Sequence, residues 1–320
     1  MDAHGHGGAL RLASNQLLTT IPVVEWSVTA GGPADDEKWR LSRAIHAACE
    51  QSGFFFLRNH GIPPSLLEAV YAEARRFYSQ PLDDKRRFSC SADTEYLGYR
   101  EVGAERSLTH SGREACEQYR IGYVADPPAG GWAGLYHRPF GAATRLLERL
   151  ATIGNEILSL SALALNLPAT VFDLLMEKPV HRLGLNHYPV GAGSALGNRV
   201  HYSMTSHVDH AFFTILTQNA PGLEVLGSDG RWIDVPVRPH EPLVFLGDYL
   251  ERWTNGGYRA TYHRVRDVST DRISLQFKHR PSYGAIIEPS QFVDDEHPSR
   301  YEPFDTGRQY AELLRSLLGV

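Results

Sequence analysis

Hydrophobic residues in the first half of the chain recur mainly every three to four positions, which is the spacing of an amphipathic helix. The predicted helices cover residues 36–51, 64–81 and 142–166. The last of these has the clearest apolar stripe, formed by leucine and isoleucine residues. Apolar runs over residues 21–26 and 53–63 predict short strands, whereas residues 90–140 show neither period and are predicted to be irregular.

After Pro168 the pattern changes to short β-like runs separated by glycine, proline and aspartate turns. The predicted strands cover residues 182–189, 212–217, 223–226, 231–236, 242–246, 262–267 and 272–279. Several short strands in succession are typical of a closed or doubled sheet such as a jelly roll. Helical spacing returns over residues 306–318, so we predict that a helix closes the chain.

The composition allows a large folded core and favours neither nucleic acid nor a membrane as the partner. Of the 320 residues, 42% are hydrophobic, and the formal net charge is only −5. The three cysteines, Cys49, Cys90 and Cys116, match neither a disulfide framework nor a zinc motif and suit a reducing compartment. The N-terminal segment lacks a signal-peptide core, and no apolar run reaches the length of a bilayer. We therefore expect a soluble, cytoplasmic protein.

A possible metal site begins with the segment S-H-V-D-H at residues 206–210. If this segment is a strand, His207 and Asp209 point to the same face, because side chains alternate with a period of two. His263 opens a later predicted strand and could add a second imidazole. Two histidines and one carboxylate leave positions open on the metal, which suits the oxygen chemistry of iron(II).

These residues alone leave other interpretations open. A buried histidine is more often a hydrogen-bonded core residue than a ligand, and zinc in a hydrolase also accepts histidine and carboxylate. His210 has the opposite parity to His207 and Asp209, so we expect it to face away from the metal.

A possible anion site lies on the predicted strand over residues 272–279. Arg272 and Ser274 share a face, and an arginine fork beside a hydroxyl fits a carboxylate. Tyr188 can add a phenolic donor from a facing strand. The competing interpretation is a structural ion pair of Arg272 with Asp267 or Asp271.

Together these segments resemble the isopenicillin N synthase-like family of iron(II)/2-oxoglutarate-dependent oxygenases. The resemblance spans about residues 20–285. In the N-terminal half it rests on I-P-V-V-E-W and G-F-F-F-L-R-N-H-G-I-P, and in the C-terminal half on N-H-Y-P, D-G-R-W-I-D-V-P and R-I-S-L-Q-F. The most specific segment is W-T-N-G-G-Y-R-A-T-Y-H-R-V, which contains His263.

The resemblance implies roles for individual residues. The metal ligands of the family fall on His207, Asp209 and His263. Contacts to 2-oxoglutarate fall on Arg272 and Ser274 with help from Tyr188, while Asn186 matches a position near the oxygen-binding side. The implied cofactors are Fe(II), 2-oxoglutarate and O2, with ascorbate as a supporting reductant, and the implied co-products are succinate and CO2.

The fold implied by the resemblance is mixed α/β. Its core is a distorted double-stranded β-helix (jelly roll, cupin-like), braced by N-terminal helices and a C-terminal helix. We expect a flexible leader over residues 1–20 and a single oxygenase domain over residues 21–320. Within that domain we expect a helical N-terminal region, a jelly-roll core with the iron site and a C-terminal extension with a helix, over residues 21–180, 181–285 and 286–320.

The substrate has to be predicted from the residues that could share the cavity with Arg272. Gln276 and Lys278 lie on the same strand with the same parity, so they should face the same side. The remaining candidates for the substrate pocket are Tyr119, Phe212 and Arg106, with Arg120 as an alternative to Arg106. An ammonium group at Lys278 favours a small polar substrate with a carboxylate or several hydroxyls, and the alternative is that Lys278 simply reaches water. The outcome at the C–H bond could be hydroxylation, desaturation or cyclisation.

Two rival functions stay open at this point. One is an iron oxidase of the isopenicillin N synthase type, which does not use 2-oxoglutarate and applies the arginine to its main substrate. The other is a cupin-like protein that binds metal without turnover. In either case we expect a small-molecule partner, no nucleic acid, no membrane, and a monomer or weak dimer.

Overall fold

The computed structural model describes residues 21–26, 35–109, 111–123, 140–197 and 202–319. The predicted leader over residues 1–20 lies outside this part of the chain. The helices within it are α1 (Asp35–Gln51), α2 (Pro64–Tyr78), α3 (Leu82–Arg86), α4 (Gly141–Ala164), α5 (Ala192–Ala195), α6 (Asp248–Trp253) and α7 (Thr306–Leu318). Short 3-10 turns are Ala92–Thr94, Asp173–Met176 and Ser290–Phe292.

The strands form two larger sheets and one small pair. They are β1 (Val23–Glu25), β2 (Phe54–Arg58), β3 (Gly98–Arg100), β4 (Glu117–Gly122), β5 (Arg182–Tyr188), β6 (Tyr202–His207), β7 (Phe213–Gln218), β8 (Leu223–Leu226), β9 (Trp232–Asp234), β10 (Leu243–Leu246), β11 (His263–Arg266), β12 (Arg272–His279), β13 (Ile286–Ile287) and β14 (Phe304–Asp305). The major sheet has the order β1-β2-β10-β7-β12-β5-β4-β3, and the minor sheet has the order β6-β11-β8-β9. Apart from the parallel pair β1 and β2, the described neighbours are antiparallel, which agrees with the predicted jelly roll.

The outer face of the major sheet is covered by helices. The apolar stripe of α4, which includes Leu146, Leu150 and Ile157, is buried in the same cluster as side chains of β12 and of helices α1 and α2. Full burial of one such side chain stabilises the fold by roughly 1.5–3 kcal/mol. The helices predicted from the hydrophobic spacing therefore brace the sheet, as expected.

The inner face of the major sheet is more polar than the outer face, because polar and apolar residues alternate along β12. Ile273, Leu275 and Phe277 point outward into the helix-side core. The residues between them, beginning with Arg272 and ending with Lys278, therefore point inward. This alternation places charged groups inside the jelly roll, between the two sheets.

Several strands were not predicted from the sequence. The segment over residues 90–140 was expected to be irregular, but β3 and β4 lie within it and extend the major sheet. In β4 the inward Gln118 and Arg120 alternate with the outward Tyr119 and Ile121, and a short run of this kind is easily missed. The N-terminal region over residues 21–180 is consequently not only helical, since it contributes four strands to the same sheet as the core.

Candidate metal centre

Three potential ligands converge at one end of the minor sheet. His207 ends β6 and His263 begins β11, and the two residues are paired in register across the antiparallel strands. One ligand atom from each histidine and from Asp209 lies within 4.8 Å of the others. The expected grouping is therefore present, although Asp209 reaches it from the loop after β6 rather than by alternation within a strand.

The two imidazoles are oriented by backbone carbonyl groups. The distance from His207 Nδ1 to the carbonyl oxygen of Thr205 is 2.7 Å, and that from His263 Nδ1 to the carbonyl oxygen of Thr261 is 3.1 Å. A carbonyl can only accept, so Nδ1 carries the proton in both rings and Nε2 keeps its lone pair. Each Nε2 faces Asp209, at 3.8 Å from Oδ1 for His207 and 4.0 Å from Oδ2 for His263. Both rings thus present the atom that a metal would bind.

The Asp209 carboxylate is almost completely buried and is held by two donors. Thr214 Oγ1 donates to Oδ2 over 2.5 Å, and Lys278 Nζ donates to Oδ1 over 2.7 Å. Burial opposes ionisation, but the positive charge of Lys278 together with His263 and His207 outweighs it and holds the pKa of Asp209 well below its usual range. The carboxylate is therefore ionised and available as a ligand.

His263 is held in its neutral form. Burial is the main cause, and the neighbouring His207 adds to it, so that the pKa of His263 falls to about 3. A neutral imidazole is the form that binds a metal ion.

The loop that carries Asp209 is fixed by the turn at the start of α6. The Gly247 and Asp248 amides donate to the carbonyl oxygens of Phe212 and Asp209 over 2.9 and 3.0 Å. A Cβ atom at Gly247 would lie 2.2 Å from the Ala211 carbonyl oxygen and 2.6 Å from that of Asp209, so only glycine fits here.

His210 follows the second ligand and contacts a different carboxylate. Its Nδ1 lies 2.8 Å from Asp248 Oδ2, as expected for a side chain that does not face the metal. It still borders the pocket in front of the three ligands.

The donor set fits iron(II). Two imidazoles and one carboxylate occupy one side of a common centre, and the pocket borders His207 and Asp209 on the other side. Such a set leaves coordination positions free for other ligands.

Arg272 lies further inside the jelly roll, and part of its guanidinium group has no hydrogen-bond partner among the described residues. Its side chain is 0% exposed, and its Nη2 donates to Gln218 Oε1 over 2.8 Å. The guanidinium lies 4.6 Å from the ring centre of Tyr188, but its Nε and Nη1 have no hydrogen-bond partner among the described residues. Burial is the main reason why the pKa of Arg272 is lowered, which shows that the cation lacks a full counter-charge. Arg272 does not pair with Asp267 or Asp271, which was the competing interpretation, and its remaining N–H groups have the geometry to bind a carboxylate.

Polar side chains connect Arg272 to the pocket along two paired strands. Arg272 is opposite Tyr188, Ser274 is opposite Asn186, and Gln276 is opposite Gly184. Ser274 is fully buried, whereas Asn186 and Gln276 line the open pocket that also borders His207 and Asp209. The Arg272 guanidinium, the Ser274 hydroxyl and the potential metal ligands therefore face the same inner side of the jelly roll.

The residues predicted to bind substrate divide into two groups. Gln276 and Lys278 line the pocket, as their parity predicted. Tyr119 does not line it, because its ring points outward and packs at 4.6 Å from the ring of Phe140. Phe212 is also in the outer core, 5.4 Å from the ring of Phe172.

Arg106, like Tyr119 and Phe212, was predicted to line the pocket but does not. Arg106 is exposed, and its guanidinium lies beside Gly319 at the end of α7. The backbone amide of Arg106 donates to the carbonyl oxygen of Leu317 over 2.8 Å, so this segment contacts the C-terminal helix instead.

Several pocket residues were not predicted as candidates. They are Glu105, Glu114, Gln118, Arg182, Arg280 and Tyr310. Arg280 could have been found by extending the parity of β12 by one more step. Tyr310 carried no signal, since the sequence does not show that α7 folds back onto the pocket.

With this geometry established, similarity to known proteins identifies the family. Residues 179–281 match the family described as 2OG-Fe(II) oxygenase superfamily, and residues 21–137 match the family described as non-haem dioxygenase in morphine synthesis N-terminal. The chain belongs to the 2OG-Fe(II) oxygenase superfamily, and it is an iron(II)- and 2-oxoglutarate-dependent dioxygenase by class. Zinc hydrolysis, which the residues alone left open, is thereby disfavoured.

Individual relatives agree with this assignment. The 2-oxoglutarate-Fe(II) type oxidoreductase ppzC of Metarhizium rileyi is 30% identical over 292 residues, which cover 82% of this chain and 77% of the relative. A homoarginine-6-hydroxylase of Oryza sativa is 28% identical, with 81% of this chain and 83% of the relative covered. A full-length Neurospora crassa protein in complex with alpha-KG and thymine shares the fold, with a TM-score of 0.78, 24% identity, and 92% and 96% of the two chains covered.

The described helices were also compared with the requirements of a membrane span. None of them combines the necessary length with sufficient hydrophobicity.

Proposed function

We propose that His207, Asp209 and His263 hold the iron and that Arg272, with Ser274 and Tyr188, binds the far carboxylate of 2-oxoglutarate. The observation that carries this proposal is the fully buried Arg272, whose Nε and Nη1 have no acceptor among the described residues. Arg272 faces the same inner side of the jelly roll as the three ligands. A buried cation of this kind is costly unless a ligand completes it.

The protein's contribution to the reaction follows from these positions. Iron and 2-oxoglutarate, when bound, supply an oxidant that breaks a C–H bond, with succinate and CO2 as co-products. Arg272 and Ser274 fix one end of the co-substrate, so that its other end is directed toward the metal ligands. Thr214 and the Gly247 turn hold the Asp209 carboxylate in place. Asn186 lies between the two sites and borders the pocket.

We further propose that the substrate is a small polar molecule. The pocket is lined by charged and amide side chains, among them Gln118, Arg120, Gln276 and Lys278. Such walls bind polar groups and disfavour a planar apolar substrate. The relative from Oryza sativa is named a homoarginine-6-hydroxylase, and homoarginine is a polar molecule. This name supports the proposal that the present protein also acts on a polar substrate. Hydroxylation, desaturation and cyclisation all begin with the same C–H cleavage, and hydroxylation is the outcome that we propose to test first.

The ligand assignment is tested by binding of iron(II) under anaerobic conditions. His207→Ala, Asp209→Ala and His263→Ala should each lose stoichiometric iron, because each removes one of three ligands. His297→Ala is a matched control, since this histidine is exposed and its partner Asp294 lies close to it in sequence on the surface. Near-normal iron binding in any of the three ligand variants would contradict the assignment.

The use of 2-oxoglutarate is tested by following succinate. The wild-type protein should form succinate from 2-oxoglutarate in an iron- and O2-dependent reaction. A visible absorption band should develop when iron(II) and 2-oxoglutarate are added together in the absence of O2. O2 consumption without succinate would favour an oxidase of the isopenicillin N synthase type, in which Arg272 binds the main substrate. Absence of both reactions across a broad substrate panel would favour a non-catalytic metal-binding protein.

We propose that the protein acts in the cytoplasm as a monomer or weak dimer. The described cysteines Cys49, Cys90 and Cys116 are free thiols, which suits a reducing compartment. Sedimentation at several protein concentrations tests the assembly state.

A further inference from the structure

A second buried arginine lies at the other end of the inner surface that begins with Arg272. Arg280 follows β12 directly and has the same parity as Arg272 and Lys278, so all three side chains face inward. Eight residues of extended chain span roughly 27 Å. Lys278, which contacts the Asp209 carboxylate, lies between the two arginines in the chain. The potential metal site is thus flanked by a buried arginine on each side.

Arg280 differs from its neighbours because it has no carboxylate partner. Arg100 and Arg120 share Glu105, and Arg182 contacts Glu95 at 3.3 Å. For Arg280, which is only 2% exposed, the described residues provide no carboxylate within 4.0 Å. Its Nη2 donates to Tyr249 Oη over 3.3 Å, and its Nε has no partner in the described part of the chain.

Tyr310 of α7 completes this end of the pocket. The Arg280 guanidinium lies 3.8 Å from the centre of the Tyr310 ring, and both side chains line the same pocket as His207. The Tyr310 hydroxyl is buried and has no hydrogen-bond partner among the described residues. Burial opposes ionisation of this hydroxyl, but the surrounding arginines, with Arg182 and Arg280 foremost, lower the pKa of Tyr310. Positively charged groups therefore lie around the hydroxyl.

We propose that Arg280 and Tyr310 form a binding site for an oxyanion of the substrate, either a carboxylate or a phosphate group. The inference rests on the proposed function and narrows its substrate class from polar to anionic. The Arg280 Nε–H and the Tyr310 hydroxyl, neither of which has a partner among the described residues, supply two donors for such a group. Anchoring at this end would hold a neighbouring C–H bond of the substrate between Arg280 and the metal ligands. The alternative is that Arg280 only supports α7 by stacking on Tyr310.

Tyr310→Phe is the most informative variant. It keeps the ring that stacks on Arg280 and removes only a hydroxyl that has no protein partner, so the fold should be retained. Arg280→Gln removes the charge, and a melting curve shows whether it folds. Arg264→Gln is the matched control, because Arg264 also stacks on an aromatic ring, that of Trp232 at 3.9 Å, but lies outside the pocket.

Binding is measured by calorimetric titration with acetate and, separately, with inorganic phosphate. The protein is loaded with manganese(II) in place of iron and saturated with 2-oxoglutarate, so that Arg272 is occupied. We expect wild type and Arg264→Gln to bind one of the two anions, Tyr310→Phe to bind it about tenfold more weakly, and Arg280→Gln to lose it. The preferred anion distinguishes a carboxylate from a phosphate substrate. The proposal would be overturned if wild type bound neither anion. It would also be overturned if Arg280→Gln still bound the anion, since the anion would then bind at the metal.

A second measurement separates this inference from the proposed function. Arg272→Gln should bind 2-oxoglutarate about 10- to 100-fold more weakly but keep the anion site at Arg280. Failure of wild type to bind 2-oxoglutarate would count against the proposed function alone. Substrate-stimulated succinate release is then compared for matched carboxylic acids and carboxamides, for example N-acetylated amino acids and their amides. Stimulation by the acids only would support the oxyanion site. Equal stimulation by the amides would overturn it.

Discussion

At the scale of single residues, the proposed binding sites of the pocket rest on two buried arginines. Many of the described arginines form an ion pair with a carboxylate, as Arg58 does with Glu241. Arg272 and Arg280 are more deeply buried than Arg58 and have none among the described residues. Buried charge without a partner destabilises a fold, and this cost is the reason for proposing that both arginines bind ligands.

The affinity for 2-oxoglutarate should depend on the guanidinium of Arg272. Arg272→Gln should weaken binding by about 1.5–3 kcal/mol, which corresponds to one to two orders of magnitude in Kd. Tyr188→Phe should weaken it less, because the ring under the guanidinium is kept. Titration of the anaerobic iron protein measures both, with Arg264→Gln as the control. An unchanged Kd in Arg272→Gln would assign this arginine to another ligand.

The hydroxyl of Thr214 should contribute to iron binding although it is not a ligand. It donates to Asp209 Oδ2 over 2.5 Å and so keeps the carboxylate in one orientation. Thr214→Val retains the shape and removes the donor, and we expect about tenfold weaker iron binding with little change in melting temperature. Thr217→Val on the opposite face of β7 is the control, since its hydroxyl pairs with Tyr71 instead. Equal iron affinity in Thr214→Val and wild type would show that the contact has no positioning role.

At the scale of elements, regular alternation made some strands predictable and others not. The run R-I-S-L-Q-F-K-H gave β12 with its correct inward residues, because polar and apolar positions alternate over its whole length. Residues of β4 alternate as well, but both faces are buried and the strand is surrounded by irregular chain. The strand itself and its pocket residue Gln118 were therefore missed, although Arg120 had been named as a possible contact. Tyr119 and Phe212 were misplaced because proximity in sequence to the site does not determine which face a side chain takes.

The turn at the start of α6 should be as important for the metal as the ligands themselves. Gly247→Ala would place a methyl group 2.2 Å from the Ala211 carbonyl oxygen, which must displace the backbone next to Asp209. We expect at least tenfold weaker iron binding and a lower melting temperature. The control is Gly141→Ala at the start of α4, where the nearest atom would lie 3.8 Å away. Iron binding that is as strong in Gly247→Ala as in Gly141→Ala would mean that the loop tolerates the shift.

At the scale of the whole molecule, the pocket joins parts of the chain that are far apart in sequence. The major sheet supplies β4, β5 and β12, the minor sheet supplies His207, and α7 supplies Tyr310, Leu313 and Leu317. The sequence motifs cover β5, β12 and the segment around His207, whereas β4 was not predicted from the sequence. The contribution of α7 depends on how the C-terminal helix packs, which a local pattern cannot determine. This explains why the convergence of His207, Asp209 and His263 could be predicted while the far end of the pocket could not.

The buried ion cluster at that end should make stability depend on pH. Glu105 accepts hydrogen bonds from Arg100 and Arg120. Burial opposes its ionisation, but the two arginines outweigh burial and lower the pKa of Glu105 from 4.5 to about 2. Because the pKa is lower in the folded state, the stabilisation is complete above about pH 4.5 and is lost as the pH falls toward about 2. A shift of this size corresponds to roughly 3 kcal/mol.

Glu105→Gln should therefore flatten the acid side of the stability profile. The amide cannot ionise, and it leaves Arg100 and Arg120 without their counter-charge, so we expect a loss of roughly 3–5 kcal/mol at neutral pH. The free energy of unfolding of the metal-free protein, measured with urea at several pH values, should converge with that of wild type as the pH is lowered. Glu302→Gln is the control, because this residue is exposed and should leave the profile of wild type unchanged. An acid-side slope that is the same in Glu105→Gln and wild type would show that other carboxylates govern the transition.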